Sequence, residues 1–189
     1  MELNLENLMN TAIEEMKNGQ HSEASKHFDM VVVNDASNID APFFRAYCNC
    51  YGITLGEMSN AATMFTNAFC RYVDAVKALN NPEVEKEKLD YAITLLTELV
   101  AMYKLNSQRN MLLTPTVGLG ISASAVTMNN TCKNKLTSVN ANISTEILET
   151  NAKLDKSNAS TMYWLLAIVG IGIIAFGIWM GTSLSYLWF

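Results

Sequence analysis

The sequence predicts an all-α protein: a short stack or bundle of helix pairs, a helical stalk, and a single C-terminal transmembrane helix. Three observations carry this prediction. Before position 110, apolar residues recur every three or four positions, the period of a helix buried along one face. The β-branched run Val31–Val33 lies inside such a pattern, and nothing else there alternates as a strand would. Finally, no charged side chain occurs from Ser157 to Phe189, and Met162–Met180 is apolar almost throughout. A membrane-spanning helix needs about 20 such residues.

The elements follow in order. Leu5, Leu8, Ala12 and Met16 share one face of a first helix, which Gly19 ends. A second begins at Ser22 and carries Ala24, Phe28, Val31 and Val32. A third starts near Ala41-Pro42, since proline is tolerated in a first turn; it carries Phe43, Phe44, Ala46, Tyr47 and Cys50. Gly52 and Gly56 then loosen the chain. A long amphipathic helix runs through Ala61, Phe65, Phe69, Tyr72, Val76 and Leu79. Asn80-Asn81-Pro82 is a stop and a restart. The next helix turns Leu89, Ile93, Leu96, Val100 and Tyr103 inward, with Lys86, Asp90, Glu98 and Lys104 on its opposite face. These helices make up a domain over residues 1–109.

Residues 110–132 are uncharged, and Pro115, Gly118 and Gly120 interrupt their apolar character. They read as a hinge packed on the bundle, a membrane-surface or re-entrant segment, or a weak transmembrane helix. Residues 133–161 form a polar stalk rich in Asn, Thr, Ser and Lys. A thin stripe of Leu136, Val139, Ile143 and Ile147 suits a helix continuous with the membrane span, while a flexible tether fits the composition equally. The span is 162–180, and 181–189 is a short tail. Gly170, Gly177 and Gly181 lie near one face of the span. Small residues so placed let membrane helices approach closely, so two copies of the chain could associate there.

Charge narrows the function. Residues 1–109 hold 15 acidic and nine basic side chains, a net of −6, against −5 for the whole chain. An acidic body is a poor ligand for nucleic acid, which needs clustered Lys and Arg. MELNLENLMN lacks the basic and apolar regions of a signal peptide. Lys153 and Lys156 precede the span and no Lys or Arg follows it. The positive-inside bias then leaves the N-terminal body in the cytoplasm. There Cys48, Cys50, Cys70 and Cys132 are expected as reduced, packed thiols.

No catalytic constellation is present. His21 and His27 are six apart, which is not the spacing of paired metal ligands on a helix. His21 reads as a packing residue at a turn and His27 as an exposed neighbour of Phe28. The acidic clusters have no nucleophile beside them, and Gly118-Leu119-Gly120 lacks the third glycine and the strand of a phosphate loop. No enzyme activity, cofactor or metal is expected.

Gly19, His21, Glu23, Ala24 and Phe28 together resemble the turn and second helix of a tetratricopeptide repeat. Leu8 and Ala12 stand where that repeat's first helix needs a large and a small residue. Ala46 follows Ala12 by 34 positions, the repeat's period, and Ala61-x-x-x-Phe65 echoes Ala24-x-x-x-Phe28 at a spacing of 37. The resemblance covers residues 5–80. His21 replaces the commoner Tyr, and no Pro closes the first unit. It implies a small concave surface that holds a protein or peptide. The first helix of each pair would line it, which points to Glu15, Arg45 and Asn49. The resulting expectation is an adaptor or scaffold tethered to the lipid bilayer that presents this surface to a cytoplasmic partner. The rival expectation is a membrane-active or pore-associated protein with a second membrane segment at 111–128.

Overall fold

Short polar side chains decide where the helices begin. The Asn4 carboxamide accepts the Asn7 amide N–H at 3.0 Å and opens α1, Leu5–Lys17. Gly19, at φ +78°, makes the tight turn into α2, His21–Asn34. Asn38 accepts from the amides of Asp40 and Ala41 and opens α3, Asp40–Cys48. α4 spans Met58–Ala78. The Asn-Asn-Pro stop divides its labour: Asn80 takes the left-handed φ of +51°, Asn81 accepts from Glu83 and Val84, and Pro82 opens α5, Pro82–Met111. A proline in the first turn also opens α6, Pro115–Ser138.

The computed structural model describes residues 4–111 and 113–145, and among them all regular structure is helical. They belong to one compact unit that reaches Leu148. Met162–Met180, with Gly170, Gly177 and Gly181, lies outside the described residues. Among those described, no helix is long and apolar enough to cross a membrane.

Neighbours in sequence are neighbours in space. α1 packs on α2, α2 on α3, and α3 on α4; α5 pairs with α6, and both pack on α4. Ala12 of α1 and Ala24, Phe28 and Val31 of α2 are buried. Phe43 sits at the centre of the next layer. The rings of Tyr72, Phe44, Phe65 and Phe69 lie 4.4, 5.6, 5.7 and 6.0 Å from it, centroid to centroid. Aromatic pairs at such spacings add about 0.5–1.5 kcal/mol each beyond the area they bury.

The last helical pair packs differently. Gly118 faces α5 so closely that a Cβ there would stand 2.9 Å from the Met111 backbone nitrogen and 3.0 Å from the Ser107 carbonyl oxygen. The Ser107 hydroxyl donates across the gap to the Gly118 carbonyl at 2.8 Å. Ile121, Ala125, Met128, Cys132 and Leu136 continue this buried seam.

The observed boundaries differ from the sequence expectation in three places. α5 runs on to Met111, past position 109. Residues 110–132 are mostly helix, because Pro115 starts one and Gly118 falls where α5 approaches closely. The same helix passes through position 133, so the stalk's first residues belong to the bundle.

The chain after α6 is also tied down. The Asn142 and Ser144 amides donate to Glu85 and Asp90 at 2.9 and 2.8 Å, and Lys86 bonds both Asp90 and the Ser144 hydroxyl. The face of α5 predicted to meet only water therefore meets protein. At its centre Glu98 accepts from the Tyr47 hydroxyl at 2.8 Å.

Candidate functional site

α2 and α4 both pack against α3, and the space between them is left open as a groove of about 680 Å³. Each helix turns one stripe toward it. α2 supplies Ser25, Lys26 and Asp29; α3 supplies Pro42, Arg45, Ala46 and Asn49; α4 supplies Met64, Asn67, Ala68, Arg71 and Ala75. These are helical spacings, so each stripe lies straight along the groove. From Met64 to Ala75 the wall is about 16 Å long at 1.5 Å per residue, or three helical turns.

The floor is apolar and the rim is charged. Phe43 and Tyr72, both buried, form the floor with Pro42, Ala46 and Ala68. Tyr72 is fixed by its hydroxyl, which donates to Asp40 at 2.8 Å, and Lys88 bonds both oxygens of the same carboxylate at 2.7 Å. Burial, reinforced by the Asp40 charge, raises the Tyr72 phenol well above its ordinary range, so it stays neutral. On the rim, Arg45 pairs with Asp29, and the Ser25 hydroxyl donates to the Asn49 carboxamide at 2.6 Å. The side chains of Arg45 and Asp29 are 37% and 57% exposed. An ion pair that open to water contributes about 0–1 kcal/mol and yields readily to a competing partner.

Two of the three residues predicted to bind a partner, Arg45 and Asn49, therefore meet at this groove. Glu15 does not. It lies on α1, where its carboxylate bonds the His27 Nδ1 at 2.7 Å, and it is outside the groove lining. His27 is likewise half-buried in that pair and not simply an exposed neighbour of Phe28. Lys26, Asn67 and Arg71 were missed by the sequence reading. The visible signal was a polar side chain beside an apolar stripe, which is common on any amphipathic helix.

His21 sits elsewhere, where α2 begins. Its ring stacks on Tyr51 at 3.7 Å and meets Tyr47 edge-on at 5.8 Å. Its Nδ1 is buried without a hydrogen-bond partner. Burial lowers its pKa below the ordinary 6.5, against an opposing pull from Glu98. The cysteines are free thiols; Cys48, Cys50 and Cys132 are buried. Burial pushes Cys48 and Cys50 up to about 12, which leaves them unreactive at neutral pH. Among the described residues, no group of three or more His, Cys, Asp or Glu side chains is placed to hold a metal ion.

A second, smaller cleft of about 440 Å³ runs between α4 and α6. Ser59, Thr63, Thr66, Ser124 and Thr127 line it, and it carries no charged side chain. No family model, curated protein or solved structure matches the chain. The arrangement itself defines an all-helical protein with an open, amphipathic groove.

Proposed function

We propose that the chain is a membrane-tethered adaptor that holds a partner protein in the groove between α2 and α4. The observation that carries this reading is the groove itself. An apolar floor three helical turns long, with polar side chains along both edges, suits a peptide or helix of another protein. Arg45 and Asn49 are among the groove residues with hydrogen-bonding groups that packing does not require. The tether is Met162–Met180, proposed on its length and its lack of charge. The stack of helix pairs over residues 5–80 is proposed to be tetratricopeptide-like, and the body to face the cytoplasm. The packing of α6 on α4 and α5 weighs for the adaptor over a second membrane segment at 111–128.

Two measurements test the reading. A photo-crosslinking amino acid at Asn67 of the full chain, in its native membrane, is expected to trap a discrete protein. Arg45→Ala with Asn49→Ala should abolish that product while circular dichroism stays unchanged. A fragment ending at Ser157 is expected to leave the membrane fraction. Absence of any crosslink overturns the groove as a binding site, and a fragment that still sediments with membranes overturns the tether.

A further inference from the structure

We infer that the groove's partner is an acidic amphipathic segment, a helix of about three turns with carboxylates flanking an apolar stripe. This inference rests on the adaptor reading and adds the chemistry of the partner. Its warrant is charge. The chain as a whole carries −5. The groove is lined by Lys26, Arg45 and Arg71 against a single acid, Asp29, a local net of +2. The cations come one from each of the three helices that frame it, so they surround the floor and do not form one flat basic face. An anionic membrane surface needs the flat face; a helix lying in the groove meets cations on both flanks.

The cations are also available. Asp29 occupies Arg45 through an exposed pair, while Lys26 and Arg71 make no ion pair among the described residues. An arriving carboxylate can bond the Arg71 guanidinium bidentately. It can also replace Asp29 on Arg45 at small cost, since that pair is exposed. The apolar stripe of the same segment would cover Pro42, Ala46, Ala68 and the outer edge of Met64, which is 54% exposed. Burying that thioether supplies the apolar contact, and the charges supply orientation and partner choice. The chain's net charge is −5, so the groove's local +2 stands against the overall balance and favours an acidic segment.

The test is a selection from a displayed library of helical peptides against the full chain in mild detergent. Binding of the enriched sequences is then measured by fluorescence anisotropy. Enrichment of Glu and Asp beside a three-to-four-residue apolar repeat is the expected result. For those peptides, Lys26→Glu with Arg71→Glu should weaken binding about tenfold or more, about 1.4 kcal/mol. Raised salt should weaken binding to the native chain and not to the variant. Enrichment of neutral or basic peptides that compete at the groove overturns the acidic partner and leaves the adaptor standing. No enrichment of any peptide overturns both. Displacement of the acidic peptide by a water-soluble phosphatidylserine, with phosphatidylcholine inert, reassigns the cations to anionic lipid and also overturns the inference.

Discussion

Between α3 and α4 the contact is made by rings; between α5 and α6 the backbones come close enough to touch a Cβ at Gly118. The first region fills its interior with Phe43, Phe44, Phe65, Phe69 and Tyr72. Two of these rings, Phe43 and Tyr72, are also the floor of the groove that stays open between α2 and α4. The second region uses Gly118, Ala125 and Ser107, all buried, at its seam. Side-chain size therefore separates an open groove from a close-packed seam. Both are helix pairs with apolar stripes, and stripe position alone does not tell them apart.

The largest break in this comparison should come from Phe43→Ala. Four ring contacts and a fully buried side chain are lost, at a cost of about 3–5 kcal/mol. Thermal melting of the full chain checks this. A melting point unchanged by the substitution would show that the rings do not hold the first region together.

Gly118→Ala should cost less, about 1–3 kcal/mol, the usual penalty of overpacking. The added methyl meets backbone atoms of Ser107 and Met111, which cannot rotate away as a side chain can. Gly120→Ala is the control, because nothing lies within 4 Å of a Cβ at that position. Alanine there raises helix propensity by about 1 kcal/mol, so it should be neutral or stabilising; equal loss at both glycines would mean that close approach at Gly118 does not set the cost.

The smallest effects separate the regions by pH. His21 has a folded-state pKa below 6.5, so the unfolded chain binds its proton first. Stability from the neutral ring is present above pH 6.5 and is lost as the pH falls below it. His21→Phe should remove this step. At the other end, burial pushes Glu85 and Asp90 upward, but the Asn142 and Ser144 bonds and the Lys77 and Lys86 charges outweigh it. Both carboxyls end below their ordinary 4.5 and 3.8, so their contribution holds above those values and is lost in stronger acid. Amide exchange, corrected for its intrinsic pH dependence, should therefore rise first near Tyr47 and Tyr51, and only at lower pH around residues 141–144. The reverse order would show that His21 is not coupled to the fold.

Much of this was legible beforehand. Helix type and number through α5 follow from the apolar period, and Gly19 and Asn80-Asn81-Pro82 marked real turns, because glycine, asparagine and proline act on their own backbone. α6 reads as a helix only in one of the three alternatives for residues 110–132, a weak transmembrane one. Its glycines and hydroxyls lower helix propensity, and only the close approach of α5 makes Gly118 a favourable packing residue. The same limit explains Asp90 and Glu98: as single letters they read as outward-facing acids, while each bonds a group more than 50 positions away.

Local patterns thus determined the helical class, the break points, the acidic balance of the body and the uncharged run at 162–180, since each depends on residues close along the chain. The tertiary structure alone decided that α2 and α4 stand apart across α3, that three cations from three helices face one groove, and that Gly118 seats α6 on α5. Those facts depend on distances between segments far apart in sequence, which are set by the sizes of the side chains that meet between them.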